Sequence, residues 1–362
     1  MMRRLRFPFI ALVLLGATAS AVVLRWSWSR LNTPFKSYPQ LERVIVVESG
    51  LSGEKILHKL ASEGIIPDTR LSHLSLRCVL SDQSIKAGEY RFRGPMTPLE
   101  VLDQIVAGRV VTHDVTILEG LTLEETAVQL ADAGFGTLEA FLAAMRSPSL
   151  IADLDAEAET LEGYLFPDTY AFASGTAESA IVEAMVANAR RKIRRITKSR
   201  RGSEREPSPR RIVTLASIVE KEALIDRERP LIAGVYVNRL EKGIGLYADP
   251  TVIYALKRRG TWDGNLRRPD LQIDSPYNTY RHSGLPPGPI CSPGLASLAA
   301  ASQPADVPYL YFVSRNDGTH VFAKTLVEHN RNVYLWQKKY WQDRWSKERQ
   351  VKDSTDSSRP LR

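Results

Sequence analysis

Residues that commonly mark a metal centre or a covalent nucleophile are scarce in this chain. Its 362 residues include two cysteines, Cys78 and Cys291, and six histidines. The cysteines form no CxxC pair and the histidines fall in no HExxH or other paired-ligand spacing. A structural or catalytic metal is therefore not expected. An oxidising compartment would allow the two thiols to join, but two free buried thiols are the expectation. A GxSxG elbow, a P-loop and a dinucleotide fingerprint are also missing. Serine-hydrolase and nucleotide chemistry thus have no motif to rest on, and no cofactor is implied.

Charge is plentiful but uneven. The formal net charge is +8, yet Arg190 to Arg211 alone holds eleven Lys or Arg and two Glu, a local net of +9. Nucleic-acid sites interleave such charge with aromatic rings for base stacking, and none occur here. The stretch reads as a helix end running into a solvated loop, Gly202 to Pro209, that could attract anionic lipid or cell-wall polymer. From Arg344 to Arg362 the chain is polar and lacks periodic apolar residues, so a disordered tail is expected.

One long uncharged run exists, Phe7 to Leu24. Eighteen residues at about 1.5 Å each span about 27 Å, enough for a bilayer core. Arg3, Arg4 and Arg6 precede it, and Arg25, Trp26, Trp28 and Arg30 follow. This pattern predicts a single-pass anchor over 7–24, with residues 1–6 cytoplasmic and the remainder outside the inner membrane. Ala19-Ser20-Ala21 offers the competing reading of a cleaved signal peptide. The apolar run continues past that point to Leu24, which favours an uncleaved anchor.

The rest divides near residue 110. A weak repeat places Gly50-Leu51-Ser52-Gly53-Glu54 seventy residues before Gly120-Leu121-Thr122-Leu123-Glu124. Each copy follows a β-like run, offers a Ser or Thr helix cap, and ends its helix at a glycine, Gly64 or Gly134. Gly88 to Arg93 alternates as a strand should, and a helix follows from Thr97 to Val106. The βααβ pattern of 43–110 resembles a LysM-type module, which would bind N-acetylated glycan; a purely structural unit reads equally well. Helices are expected from Thr137 to Met145, Glu178 to Ile196, Ile212 to Ile225 and Pro230 to Leu240. Leu161 to Tyr170 is too irregular for one element. Leu246 to Pro293 reads as a long loop rich in Pro, Gly, Tyr and Asn, hence functional rather than idle. A hairpin with a turn at Asn316-Asp317-Gly318 and a final helix close the second part.

The chemistry concentrates in Leu215 to Ala223, which carries Glu220 and Glu222 two positions apart. At 100° per residue Thr214, Ser217 and Lys221 share one arc, while Leu215, Ile218, Val219 and Ala223 share the other. Glu222 projects inside the apolar arc and Glu220 at its border. A carboxyl against apolar surface has its pKa raised, which is how a general acid stays protonated near neutrality. By itself the pair is read equally well as two solvated glutamates. With Tyr, Trp, Asn and Asp nearby, polysaccharide cleavage suits these parts. Asp249 or Glu162 could supply a second carboxylate, though one acid suffices if the substrate brings its own nucleophile.

The series from Ala216 to Glu222, Val237-Asn238-Arg239-Leu240, Asp249 to Tyr254, Tyr277-Asn278-Thr279-Tyr280 and Gly284 to Gly288 resembles the MltG (YceG-like) family. Glu119 to Thr122, Glu162-Gly163, Pro167 to Tyr170 and Pro308 to Val313 fit in the same order. The family comprises membrane-anchored endolytic peptidoglycan transglycosylases. The resemblance implies an α+β chain with an α/β YceG-like catalytic domain over 111–340. It implies cleavage between N-acetylmuramic acid and N-acetylglucosamine, leaving 1,6-anhydro ends, with no water consumed and no metal. It assigns the acid to Glu222, with Glu220, Glu162, Asp249, Thr251, Tyr277, Asn278 and Tyr280 as substrate contacts. Peptidoglycan strands, the membrane and peptidoglycan synthases are the implied partners. A catalytically silent glycan-binding scaffold is the alternative, and a hydrolase a third reading. Two departures stand out: Tyr247 and Ala248 precede Asp249 where a polar pair is common, and Thr319 replaces a glycine before His320.

Overall fold

The structure is a computed structural model that describes residues 6–48, 50–67, 85–198, 207–342 and 344, with side chains from residue 14. The chain divides into two compact units, Met1–Asp114 with Ala171–Thr176, and Val115–Tyr170 with Ala177–Arg362. Cys78, residues 1–5, the part of the basic stretch at 199–206 and the tail beyond 344 lie outside the described residues.

In the first unit, α1 (Arg6–Leu31) covers the apolar run. Among the described residues no helix is long and apolar enough to cross a membrane. After it, β1 (Glu42–Val47) leads into α2 (Gly53–Ser62), and β2 (Gly88–Arg93) into α3 (Pro98–Val106). The two strands pair antiparallel with Ile45 opposite Tyr90. Their two-residue period turns Ile45, Val47, Tyr90 and Phe92 inward onto Leu57, Leu60, Leu102 and Ile105. Ser52 caps α2, and Thr97 with Glu100 forms a capping box on α3. The described order is strand, helix, strand, helix. The βααβ order expected of a LysM-type module needs a second helix between the strands, in a stretch (68–84) outside the described residues.

The unit boundary passes through a ribbon of β3 (Thr112–Thr116) and β4 (Thr169–Ala173). Among the described residues all strands form two-stranded ribbons. The chain is therefore mixed α and β, with the second unit mainly helical rather than built on a layered α/β sheet. That unit contains α4 (Leu123–Asp132), α5 (Leu138–Met145), α6 (Glu178–Lys198), α7 (Pro209–Glu222), α8 (Arg229–Glu241), α9 (Asp249–Arg259) and α10 (Leu295–Ser302). A hairpin of β5 (Tyr311–Ser314) and β6 (His320–Ala323) and a last helix α11 (Leu326–Val333) follow.

At the centre of this unit is α7, against which α8, α9 and α10 pack. Residues 212–219 are all buried, including Thr214 and Ser217. Of the polar arc expected from the sequence only Lys221 is exposed; Thr214 and Ser217 are not. Ser217 Oγ instead donates to Thr214 O at 2.8 Å and accepts from Ile290 N at 3.0 Å. A buried helix hydroxyl must be satisfied within the protein, and that of Ser217 is. The strap it binds, near Ile290, also carries the buried thiol Cys291, whose Sγ donates to Ser217 O.

Three boundaries differ from the sequence reading, and each matters for the site. Ser208 caps α7 and Pro209 opens it, three residues before the expected start. The same helix stops at Glu222, where Ala223 turns to extended backbone, rather than at Ile225. Leu246 to Pro293 is not all loop, because Asp249-Pro250 starts α9, which ends at the left-handed Gly260. The basic stretch is partly tied down as well. Arg190 and Arg194 pair with Asp153, and Arg210 with Asp155 at 2.5 Å. It is not simply a solvated loop.

Candidate active site

Stopping α7 at Glu222 places that carboxyl on the last helical residue, half-buried, at the negative end of the helix. Burial pushes its pKa up to about 7; the Tyr236 hydrogen bond lowers it, the Asp249 charge raises it and Arg239 lowers it. The helix dipole at this end works with burial, because it disfavours an anion. Tyr236 Oη donates to Glu222 Oε1 at 2.8 Å. No described protein group bonds Oε2, which leaves it for a reacting oxygen.

Tyr236 and Arg239 sit three apart on α8, so they share a face. Burial drives the Tyr236 phenol well above its usual pKa, so it stays a donor. Its ring meets Phe312 edge-on at 5.8 Å, and Phe312 meets His320 in the same way at 5.3 Å. His320 Nδ1 lies 2.7 Å from Glu228 Oε2, fixing the hairpin to the start of α8. Arg239 donates to Leu310 O at 2.7 Å and to Leu246 O at 2.6 Å. Its guanidinium lies over the rings of Tyr311 and Tyr247. Arg239 thus ties the backbone before β5 to the backbone before α9 and supplies a positive charge that acts on Glu222.

Opposite the acid, Asp249 opens α9 and is exposed, with Oδ1 accepting from Tyr280 Oη at 2.6 Å. The Tyr280 ring packs on Tyr247 at 5.5 Å. Tyr247 has φ of +48°, an unusual conformation for a bulky residue. The residue is 51 % exposed and packs on Tyr280 and Arg239. Strain of this kind tends to persist where function needs the side chain aimed.

Two of the expected substrate contacts are fully buried. Thr251 is fully buried, donating to Ala248 O at 2.7 Å and sharing a 2.9 Å hydrogen bond with Thr279. Asn278 is fully buried too, donating to Leu271 O and Ile273 O while accepting from Tyr280 N. Both shape the loop that presents Tyr277 and Tyr280; neither reaches an open surface. Glu220 is held by protein partners as well. Its Oε1 takes Arg229 Nη1 at 3.0 Å and its Oε2 takes Gly294 N at 2.9 Å. It therefore locks α7 to α8 and to the start of α10. A Cβ on Gly294 would meet the Glu119 carboxylate, which would have to swing away.

Glu162 lies apart from this group. It is buried, with both oxygens near Leu123 N at 3.1 and 3.2 Å and Oε2 accepting from Tyr254 Oη at 3.1 Å. Burial raises its pKa to about 8, against the lowering effect of those bonds. Tyr277 belongs to the same neighbourhood, its ring 4.9 Å from that of Tyr254. Asp249, not Glu162, is the carboxylate whose charge acts on Glu222. Tyr236, Arg239 and Tyr247 were given no site role from sequence, although Arg239 lies in a matched motif, Tyr247 marks a departure, and the α8 pair has the i, i+3 spacing of a shared helix face. Among the described residues no group of three or more His, Cys, Asp or Glu sits together to hold a metal ion.

With the acid, its phenol donor and the opposing Asp249–Tyr280 pair located, comparison with known proteins is direct. The YceG-like family matches residues 45–334. The chain belongs to the YceG-like family. Relatives named endolytic murein transglycosylase occur in Bacillus subtilis, 34 % identical over 262 residues, and in Streptococcus pneumoniae, 31 % identical over 282. The first match covers 68 % of this chain and 71 % of the relative, the second 69 % and 50 %. The chain thus spans only half the length of the pneumococcal protein. A crystal structure of a yceG-like protein from Listeria monocytogenes is 30 % identical, with a TM-score of 0.54, covering 80 % of this chain and 98 % of that one.

The site makes one prediction on pH. A general acid works only while protonated, so kcat/KM should fall as pH rises through the pKa of Glu222, about 7. Tyr236→Phe removes a bond that favours the anion, so the Glu222 pKa should rise further. The alkaline limb of the kcat/KM profile should move to higher pH, with the acid side unaffected. An unmoved limb, or one moved down, would dissociate Tyr236 from the acid.

Proposed function

We propose that this chain is an endolytic murein transglycosylase in which Glu222 is the single acid and base. Glu222 carries the reading: a half-buried carboxyl with a pKa of about 7 and one oxygen free of protein partners, in a chain whose relatives bear that name. Protonated Glu222 donates to the oxygen linking muramic C1 to the next sugar, and the C1–O bond breaks. The C6 hydroxyl of the same muramic residue attacks C1, closing the 1,6-anhydro ring, and its proton goes to Glu222. The acid is regenerated and no water is consumed. Tyr236 orients the carboxyl, while Arg239 and Asp249 balance its charge from opposite signs.

The proposal includes the N-terminal anchor over 7–24, with the catalytic unit outside the inner membrane and peptidoglycan synthases as partners. The charge bias about the apolar run supports that orientation. It also keeps a glycan-contacting role for the LysM-like 43–110.

Product mass tests the chemistry. Uncrosslinked glycan strands incubated with the protein should yield new ends lighter by one water than those of a hydrolase. Ends of full mass would mean that water, not the C6 hydroxyl, is the nucleophile.

A further inference from the structure

A cavity of about 320 Å³ opens in the second unit around Glu162, Tyr254, Tyr277, Arg210 and Arg258, at the far end of α7 from the acid. Two helices measure the separation. From Arg210 to Glu222 on α7 is twelve residues, about 18 Å of rise. From Asp249, beside the acid, to Arg258 on α9 is nine residues, about 14 Å. The loop carrying Tyr277 and Tyr280 joins the two places, since Tyr280 bonds Asp249 while Tyr277 packs on Tyr254 at the cavity.

The lining does not suit a stacked sugar. Arg258 already covers the ring face of Tyr277, with its guanidinium 5.1 Å from the centroid. The cavity is instead polar, with charges of both signs at its mouth. Arg258 is 45 % exposed and its nearest acid, Glu159, is 82 % exposed at 3.9 Å, a loose pair that a ligand can open. Arg146 and Glu157 also line it and are exposed. The floor is rigid. Arg210 holds Asp155, and Asp155 Oδ2 accepts from Tyr164 Oη at 3.0 Å. Glu162 stands buried at the wall, bonded to Leu123 N and Tyr254.

We propose that this cavity binds the distal end of the peptide attached to the muramic residue being cleaved. The inference rests on the transglycosylase reading and extends it to substrate choice. At about 3.5 Å per residue, four to five extended residues cover about 14–18 Å, the distance both helices give. Such a peptide carries carboxylates and an amine, which match guanidinium and carboxylate groups at one mouth. Its far end docks in the cavity while its root stays at Glu222, so peptide binding places the scissile bond.

The test compares two forms of the same uncrosslinked strands, one bearing peptides and one stripped of them by an amidase, cleaved by the full chain. Wild type should release anhydro ends from peptide-bearing strands with kcat/KM about tenfold higher, the scale of one charge-assisted contact. Arg258→Glu and, independently, Arg146→Glu should bring the ratio to about one. Equal rates for wild type, an unchanged ratio in both variants, or a parallel fall on both substrates overturns the proposal. Release of anhydro ends from stripped strands reads the transglycosylase assignment separately. If neither substrate yields them, that assignment fails. Titration of the full chain with the free synthetic peptide still decides the cavity: saturable binding weakened by Arg258→Glu supports it, and no binding overturns it.

Discussion

Glu222→Gln should abolish detectable anhydro ends, a loss of about 10²–10⁴-fold, the usual contribution of a positioned proton donor. Glutamine keeps the shape and can still accept from Tyr236 Oη, so the local packing should survive. It cannot donate a proton to the leaving oxygen or take one from the C6 hydroxyl. The loss should therefore fall on kcat, with strand binding retained. Because the carboxyl is mainly neutral below pH 7, the amide should not lower thermal stability there. Unchanged products from a folded Glu222→Gln protein would remove Glu222 from the chemistry and make Asp249 the next carboxylate to test.

Glu220→Ala should cost stability rather than chemistry. Its side chain is 6 % exposed and that of Arg229 8 %. Removing one member of a buried pair strands the other, typically at about 3–5 kcal/mol. Arg229 would keep Asp226, a carboxylate 80 % exposed and so a weak substitute, and the hydroxyl of Ser297. Gly294 N would lose its acceptor at the start of α10. Denaturant midpoints read the effect. The double variant Glu220→Leu with Arg229→Met should recover much of the loss, since paired replacement removes both buried charges. A shift below about 1 kcal/mol would mark the pair as surface-like. A raised KM with intact stability would return Glu220 to the substrate.

How far sequence reached can be seen residue by residue. Hydrophobic period and capping residues set the helices well, because Ser52, Thr97 and Thr122 cap locally, using atoms within a few residues. The hairpin at Asn316-Asp317-Gly318 was legible because positive φ is needed there and those residues tolerate it. The helical projection chose Glu222 over Glu220, but its premise of a solvated polar arc holds only at Lys221. Projection assumes one wet side, and Thr214 and Ser217 on that side are buried.

What the sequence determined by itself is the order of motifs and the family they belong to, and it named Glu222 as the candidate acid. These rest on local spacing and on residue chemistry, which need no knowledge of what packs where. Tertiary structure alone decided the partners. It bonded Tyr236 to Glu222 across two helices, spent Glu220 on Arg229 and Gly294, and hid Thr251 and Asn278 inside their loop. It also separated Glu162 from the acid and gave it a cavity of its own. A carboxylate's role follows from what desolvates it and what bonds it, and those neighbours come from chain segments distant in sequence.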